Sequence, residues 1–208
     1  MRIGLNIVGH NMKIREPQLF WKALQNGQMA WLAYERIWRY VASSQVQLDR
    51  IYGLWEQSSQ TQIEAGAADA EELSQQKRLN MEQVISDIHF LVLCLDKIWK
   101  LIDRLTGPNL CPELKEARKF KKTIRAFLKP YLEVRDTFEH YDEQVIGGDP
   151  RKNGPGSQKV SLNARVGFSF GEKPPIKIDA TFNQELLRLL ETFDGHIYDD
   201  ITVKPKSA

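Results

Sequence analysis

The stretch VISDIHFLVLCLDKIWKLIDRL, residues 84–105, decides the fold class. Its apolar residues recur at alternating spacings of three and four, which predicts a helix with one buried stripe. That stripe consists of Val84, Ile88, Leu91, Leu95, Ile98, Ile102 and Leu105. The most apolar window, residues 89–95, is far too short to cross a bilayer, so the stripe has to pack against other parts of the chain. We predict a helix from about Lys77 to Leu105, ended by Gly107-Pro108.

Two other long segments carry the same periodicity on either side of this helix. The first runs from after Pro17 to about Ser58 and is rich in aromatic residues. Its stripe contains Phe20, Leu24, Trp31, Tyr34, Trp38, Val41, Leu48, Tyr52 and Trp55. The third runs from near 112–113 to about Val145, and Pro130 is expected to kink it. Its stripe contains Phe120, Ile124, Phe127, Tyr131, Val134, Phe138, Tyr141 and Val145.

Smaller elements lie between and after these helices. Residues 56–76 are small and polar without a stripe, which predicts frayed helix ends around a mobile connection. Residues 147–158 have the composition of a loop. The runs VSLNARVGFSF (160–170) and IKIDATF (176–182) alternate at period two around GEKPP, which predicts a β-hairpin at about 159–181. A last short helix is expected to start with Asn183 as its N-cap and to end at Gly195.

The predicted fold is therefore mainly α. We expect an antiparallel bundle of three long helices plus a short C-terminal helix, with the small β-hairpin inserted before that last helix. The last helix is expected to bury Leu186, Leu187, Leu189, Leu190 and Phe193. At 208 residues the chain is expected to form a single domain, 1–208.

The charge balance excludes one broad class of function. The chain has 29 basic and 27 acidic residues, so it lacks the overall basic excess of a dedicated nucleic-acid binder. A polyanion would have to bind at a local patch. Cys94 and Cys111 form neither a CxxC pair nor a disulfide framework, which fits a reducing compartment. The N-terminal sequence lacks a signal-peptide core, so we expect a cytoplasmic protein that does not associate with membranes.

The sequence predicts neither a cofactor nor a metal ion. The glycine-rich residues 147–156 lack the Gly-Lys-Ser/Thr ending with which a P-loop holds phosphates. The four histidines show no HExxH spacing and no Glu-x-x-His pair of the di-iron type. Asp136 and His140 share a helix face at i, i+4, but no second half of a metal site accompanies them.

The third predicted helix separates its charged side chains onto one face. At about 100° per residue, Asp136 and His140 fall on the side opposite Phe138, which is the centre of the buried stripe. A row of basic residues, here called the basic track, shares that side: Lys115, Arg118, Lys122, Arg125 and Lys129. Arg118, Lys122, Arg125 and Lys129 are candidates for binding the phosphates of a polyanion. Arg135 lies about 140° around the helix from His140, so the two side chains do not readily converge from one helix.

Charge along this helix is also segregated by position. Basic residues fill 115–129 and acidic ones fill 133–143, which leaves Asp142 and Glu143 in the last turn, where the helix dipole disfavours them. A solvated polar face with ion pairs at i, i+4 is one explanation of the charges. A two-fold dimer in which two copies of this helix pair antiparallel, basic half against acidic half, is another.

The order Arg135, Asp136, three residues, His140, late in a helical bundle, resembles the motif of the HEPN superfamily (higher eukaryote and prokaryote nucleotide-binding domains). That motif is an arginine, often followed by a polar residue, with a histidine four to six residues further on. The resemblance covers roughly 17–146 and leaves the hairpin as an addition. Family members modified by nucleotidylation carry a tyrosine two residues after the histidine, whereas Asp142 stands there in this chain.

The resemblance implies a metal-independent endoribonuclease of toxin or defence type. It implies a homodimer through the third helix, with the motif of both protomers lining one cleft, RNA as the substrate, and an antitoxin or other protein as a partner. Arg135 would stabilise the phosphate in its transition state, His140 would act as general acid or base, and Asp136 would orient the imidazole and raise its pKa. A non-catalytic helical module that binds a partner or a ligand is the alternative function.

Overall fold

The computed structural model describes residues 2–7, 10–64, 70–146, 160–163, 167–170 and 176–202. Its helices are α1 (Pro17–Ala23), α2 (Gly27–Glu64), α3 (Ala70–Leu105), α4 (Lys115–Ile146) and α5 (Ala180–Thr202). Strands β1 (Arg2–Ile7) and β2 (His10–Arg15) pair antiparallel before α1, and β3 (Val160–Asn163) and β4 (Gly167–Phe170) pair antiparallel before α5. The predicted fold class, a mainly α bundle with a small β-hairpin, is confirmed.

The core lies where α2, α3, α4 and α5 meet, and the predicted stripe of α3 is buried at all of its positions. α4 runs antiparallel to α3 on one side, where Lys121 Nζ lies 2.7 Å from Asp103 Oδ1. It runs antiparallel to α5 on the other side, where the rings of Phe127 and Phe182 stack at 5.5 Å. The predicted stripe of α4 is confirmed as buried or half-buried from 120 to 134, while the side chains at 138, 141 and 145 lie outside the described residues. α4 continues through Pro130.

The first predicted helix is in fact two helices, because residues 24–26 are not helical and form a turn between them. The backbone N–H of Gln25 donates to Glu113 Oε1 at 3.1 Å, so the segment between α3 and α4 holds the break in place. Gly27 then begins α2, and a Cβ at this position would lie 2.3 Å from the carbonyl oxygen of Phe20. The close approach of α1 to α2 therefore requires glycine.

The predicted connection at 56–76 is largely helical instead. α2 continues to Glu64 and α3 already begins at Ala70, so only residues 65–69 remain between them, and these lie outside the described residues. The segment is rich in glutamine, glutamate and alanine, which are good helix formers. Helix propensity therefore extends both helices beyond the reach of their apolar stripes.

The predicted hairpin is present, but the strands that pair differ from those predicted. β3 and β4 both come from the first run, VSLNARVGFSF, and their register ends with Asn163 opposite Gly167. The second run contributes one antiparallel bridge, between Ile176 and the fully buried Phe168, before α5 begins. Period-two alternation indicates strands but does not choose their partners. β3 and β4 are closer together in the sequence than the two predicted strands, so their pairing costs less loop-closure entropy. The predicted loop at 147–158 lies outside the described residues.

α5 is longer than predicted at both ends. The N–H of Phe182 donates to Asp179 Oδ1 at 2.9 Å, so Asp179 rather than Asn183 is the N-cap. Gly195 does not end the helix, which continues for about two more turns. Ile197 in the next turn is fully buried, and its burial outweighs the cost of about 1 kcal/mol that glycine carries inside a helix.

The hairpin of β1 and β2 is an element that the sequence analysis did not predict. It is anchored to α5 through Arg15, whose Nε and Nη2 donate to the carboxylate of Asp194 at 3.0 and 2.7 Å. Arg2 Nη2 and the hydroxyl of Tyr34 each donate to the same carboxylate at 2.8 Å. These four residues form what we call the Asp194 cluster. The Asp194 side chain is only 3% exposed, and these hydrogen bonds offset the cost of burying its charge.

Candidate functional site

The predicted site lies on α4, where Arg135, Asp136 and His140 all belong to the helix. The side chains of Asp136 and His140 are outside the described residues, so their orientation stays a prediction. The side chain of Arg135 turns toward α3, where its Nη1 lies 3.4 Å from Asp96 Oδ1. It is 25% exposed and therefore lies at the boundary between the helix interface and solvent.

Asp96 is a buried carboxylate with two cations beside it. Its side chain is 8% exposed, and Lys100, one turn later on α3, places Nζ 2.8 Å from its Oδ2. A buried carboxylate is stable only when opposite charges and hydrogen bonds replace its lost hydration. The lysine is the closer partner, and the arginine at 3.4 Å is held more loosely. Asp96 therefore draws the Arg135 side chain toward α3, while Lys100 is the closer of its two cationic partners.

Three of the candidate phosphate-binding residues face solvent. Lys129 is 71% exposed and lies 3.6 Å from Glu133 one turn later, a surface ion pair of small energetic value. Lys122 is exposed, and in the described part of the chain no carboxylate lies within ion-pair distance of it. Arg125 is exposed and its guanidinium carbon lies 5.6 Å from the centroid of the Trp99 ring. These cations are available to an anionic ligand.

Arg118, the fourth candidate, is placed differently. Its Nε donates to the carbonyl of Thr106 at 2.7 Å and its Nη2 to the carbonyl of Cys111 at 2.8 Å. The side chain thereby satisfies carbonyl groups at the end of α3 and in the segment that leads to α4. Both ends of its guanidinium are used inside the protein, so Arg118 stabilises the fold and is the least accessible of the four to a phosphate.

Residues of α3 complete a surface that the sequence analysis did not assemble. We call it the α3–α4 seam. It comprises Asp96, Trp99, Lys100 and Asp103 on α3 and Lys121, Arg125 and Arg135 on α4. The α3 members recur at spacings of three and four along the edge of its buried stripe. That spacing could have indicated that these α3 residues share one face. Only the pairing of α3 with α4 shows which cations of α4 lie beside them.

The seam combines four cations, two carboxylates and one indole ring. Its net positive charge attracts polyanions, and an indole beside an arginine offers a flat surface for a planar group. Among the described residues, no three histidine, cysteine, aspartate or glutamate side chains come together as a group able to hold a metal ion. The seam is therefore a surface of net positive charge with one aromatic ring at its centre.

In comparisons with known proteins, no family model, curated protein or solved structure matches this chain. The resemblance to the HEPN superfamily therefore rests on Arg135, Asp136 and His140 within the helical bundle. In the ranges that the structure describes, no helix has the length and apolar content needed to cross a membrane.

Proposed function

We propose that this chain is a HEPN-like endoribonuclease that holds RNA on the α3–α4 seam and cleaves it without a metal ion. The observation that carries the proposal is the position of Arg135, which Asp96 directs into the same seam as Lys121 and Arg125. A guanidinium at the edge of a basic surface is the group needed to stabilise a phosphate whose charge increases in the transition state.

The proposed reaction is an attack of a ribose 2′-hydroxyl on the adjacent phosphate. The O2′–P bond forms as the P–O5′ bond breaks, which yields a 2′,3′-cyclic phosphate and a 5′-hydroxyl end. A general base removes the 2′-hydroxyl proton, and a general acid gives a proton to the leaving 5′ oxygen. His140 supplies one of these roles, and Arg135 stabilises the negative charge on the non-bridging oxygens.

Two copies of the chain are needed for this chemistry. Arg135 and His140 are five residues apart, which separates them by about 140° around the helix and about 7.5 Å along it. Such groups diverge from one helix, whereas an antiparallel pair of α4 helices brings the arginine of one protomer near the histidine of the other. In this register the two-fold axis passes near residues 137–138, so residues 115–129 of both helices lie away from the axis and stay open to RNA.

RNA cleavage in EDTA by purified variants tests the proposal. We expect the wild type to cut a fluorescent 20-nucleotide RNA, and His140→Ala and Arg135→Ala to lose about 100-fold or more of the rate. Arg188→Ala is the matched control, because Arg188 is an exposed arginine held by Glu185 on α5. Circular dichroism establishes that each variant is folded.

Two results would count against ribonuclease activity: an intact RNA after incubation with folded wild type, or equal rates for the wild type and His140→Ala. The first result would favour the non-catalytic module instead.

The dimer has a separate test. Lys122→Glu combined with Lys129→Glu reverses two exposed charges of the basic track without touching Arg118 or Arg125, which have contacts inside the protein. We expect the wild type to have the mass of a dimer by multi-angle light scattering. Residues 122 and 129 lie away from the two-fold axis in the register that brings Arg135 near the partner's His140, so the double variant should stay dimeric. A monomeric wild type would refute the pairing through α4, and a monomeric double variant would refute this register in favour of basic half against acidic half.

A further inference from the structure

Trp99 and Arg125 lie side by side in the α3–α4 seam. The guanidinium carbon of Arg125 lies 5.6 Å from the Trp99 ring centroid, within the range of a cation–π contact. Exposed arginines elsewhere on the protein, such as Arg39 and Arg188, bind a carboxylate on their own helix. Among the described residues no carboxylate lies within ion-pair distance of Arg125. Its partner is an aromatic ring instead, and its charge is not compensated.

The surroundings of this pair favour an anionic ligand. Lys121 precedes Arg125 by one turn and lies 23% exposed beside Asp103, while Lys122 is exposed. Lys100, the neighbour of Trp99 on α3, is 53% exposed. The cations outnumber the carboxylates of the seam, so the local potential stays positive although the whole chain is nearly neutral.

We propose that the Trp99–Arg125 pair is a binding subsite for one unpaired nucleobase and its phosphate in single-stranded RNA. The indole ring and the neighbouring guanidinium each have a flat face, so a base can stack at this pair while an N–H group of the arginine donates to a phosphate. A base inside a duplex has both faces covered by its neighbours and cannot stack here. This subsite rests on the proposed function, since it names the form of RNA that the seam takes.

The position of the subsite relative to Arg135 sets a length for the ligand. Ten residues of α4 separate Arg125 from Arg135, which corresponds to about 15 Å along the helix. A stacked strand rises about 3.4 Å per nucleotide, so about four nucleotides reach from the stacked base to the proposed cleavage point. A strand shorter than that cannot occupy both places.

Fluorescence anisotropy with 5′-fluorescein decauridylate tests the subsite in the His140→Ala background, in EDTA, so that the probe is not cut. A fluorescein-labelled RNA duplex of about 20 base pairs and mixed sequence, which stays paired at the assay temperature, is the duplex probe. We expect the single strand to bind at least about 10-fold more tightly than the duplex. Trp99→Ala is expected to weaken single-strand binding by about 10-fold, and Trp99→Phe, which keeps a ring, by less.

Arg125→Lys separates stacking from charge without disturbing the core. The substitution keeps the positive charge and removes the planar guanidinium, so we expect weaker binding of single-stranded RNA at equal ionic strength. The control Arg188→Ala should bind RNA as tightly as the His140→Ala protein. Equal affinity for both probes, absence of RNA binding, or an Arg125→Lys affinity equal to that of the control would overturn the subsite. Binding with these dependences but no cleavage by the wild type would refute the ribonuclease alone. Cleavage that Trp99→Ala and Arg125→Lys leave unchanged would refute the subsite alone.

Discussion

Replacement of Asp194 by asparagine is expected to destabilise the protein by about 3 kcal/mol. The Asp194 side chain is 3% exposed and is bound through two atoms by Arg15, which is itself only 11% exposed. Removal of one partner from a buried ion pair costs about 3–5 kcal/mol, because the remaining charge stays buried without compensation. The amide oxygen of asparagine can still accept from Tyr34, so we expect the lower end of that range.

The size of this loss makes it measurable. Domains have a free energy of unfolding of about 5–15 kcal/mol, so 3 kcal/mol is a large part of it. For a chain of about 200 residues each kcal/mol shifts Tm by about 2–4 °C, so Asp194→Asn should unfold about 6–12 °C lower. Urea unfolding followed by circular dichroism at 222 nm gives the free energy directly, and the slope of the transition shows whether the variant starts from the same fold.

Glu185→Gln is the matched control for this variant. It makes the same carboxylate-to-amide change on the same helix, but at a surface pair with Arg188 where solvent screens the charges, so we expect almost no effect. Hydrogen exchange adds a local readout: the amides of β1 and β2 should exchange faster in Asp194→Asn, because the hairpin loses its anchor on α5.

The two arginines of the Asp194 cluster differ in exposure. Arg2 is 44% exposed and Arg15 is 11% exposed, so Arg15→Ala should cost clearly more than Arg2→Ala. The double variant Arg15→Ala with Asp194→Asn should cost less than the sum of the single changes, because both remove the same interaction. An Asp194→Asn protein as stable as Glu185→Gln, or strictly additive losses with Arg15, would refute the view that this cluster anchors the hairpin.

Three other predictions concern the rest of the bundle. Gly27→Ala should lower Tm, at a cost of about 1–3 kcal/mol, because its Cβ would lie 2.3 Å from a backbone oxygen of α1. Gly53→Ala should raise Tm, because nothing lies within 4 Å of its Cβ and alanine has the higher helix propensity. Equal Tm shifts in the two variants would contradict this reasoning. Burial raises the pKa of the Cys94 thiol to about 11 and that of Cys111 to about 12. At pH 8 both should therefore react with a thiol reagent far more slowly in the native protein than in guanidinium, and equal rates would be inconsistent with these raised pKa values. Burial also raises the pKa of Tyr52 to about 12, above its unfolded value near 10. The neutral Tyr52 hydroxyl therefore contributes fully to stability below pH 10, and this contribution is lost between pH 10 and 12. If the urea midpoint of Tyr52→Phe fell as much over that interval as that of the wild type, the contribution of Tyr52 would be refuted.

Local periodicity explains what could be predicted of the fold. The stripe of α3 is buried as expected, because a helix that faces other elements on one side needs apolar residues at that spacing whatever its neighbours are. The break before Gly27 depends instead on a contact with Glu113, 88 residues from its partner Gln25. The anchoring of the N-terminal hairpin depends on Arg15 and Asp194, which are 179 residues apart. No local pattern contains such pairs.

The same limit applies to the candidate site. One helical wheel placed Arg118 and Arg125 on a common basic face, but their actual partners belong to the end of α3 and to Trp99. Long arginine side chains reach across a helix interface, so their contacts depend on the neighbouring helix as much as on their own position. The role of a cation therefore followed from the pairing of α3 with α4, which the sequence pattern did not specify.

Two arginines beside buried carboxylates illustrate how structure separates roles that sequence cannot. Arg15 binds Asp194 through two nitrogens at 3.0 and 2.7 Å and is 11% exposed, so its charge serves the fold. Arg135 lies 3.4 Å from Asp96, a carboxylate that Lys100 already approaches to 2.8 Å, and it is 25% exposed. The fold thus depends less on Arg135 for charge compensation than on Arg15. An anionic ligand in the seam can compete for Arg135 without leaving Asp96 unpaired, because Lys100 stays beside that carboxylate. This is the physical basis of the role proposed for Arg135.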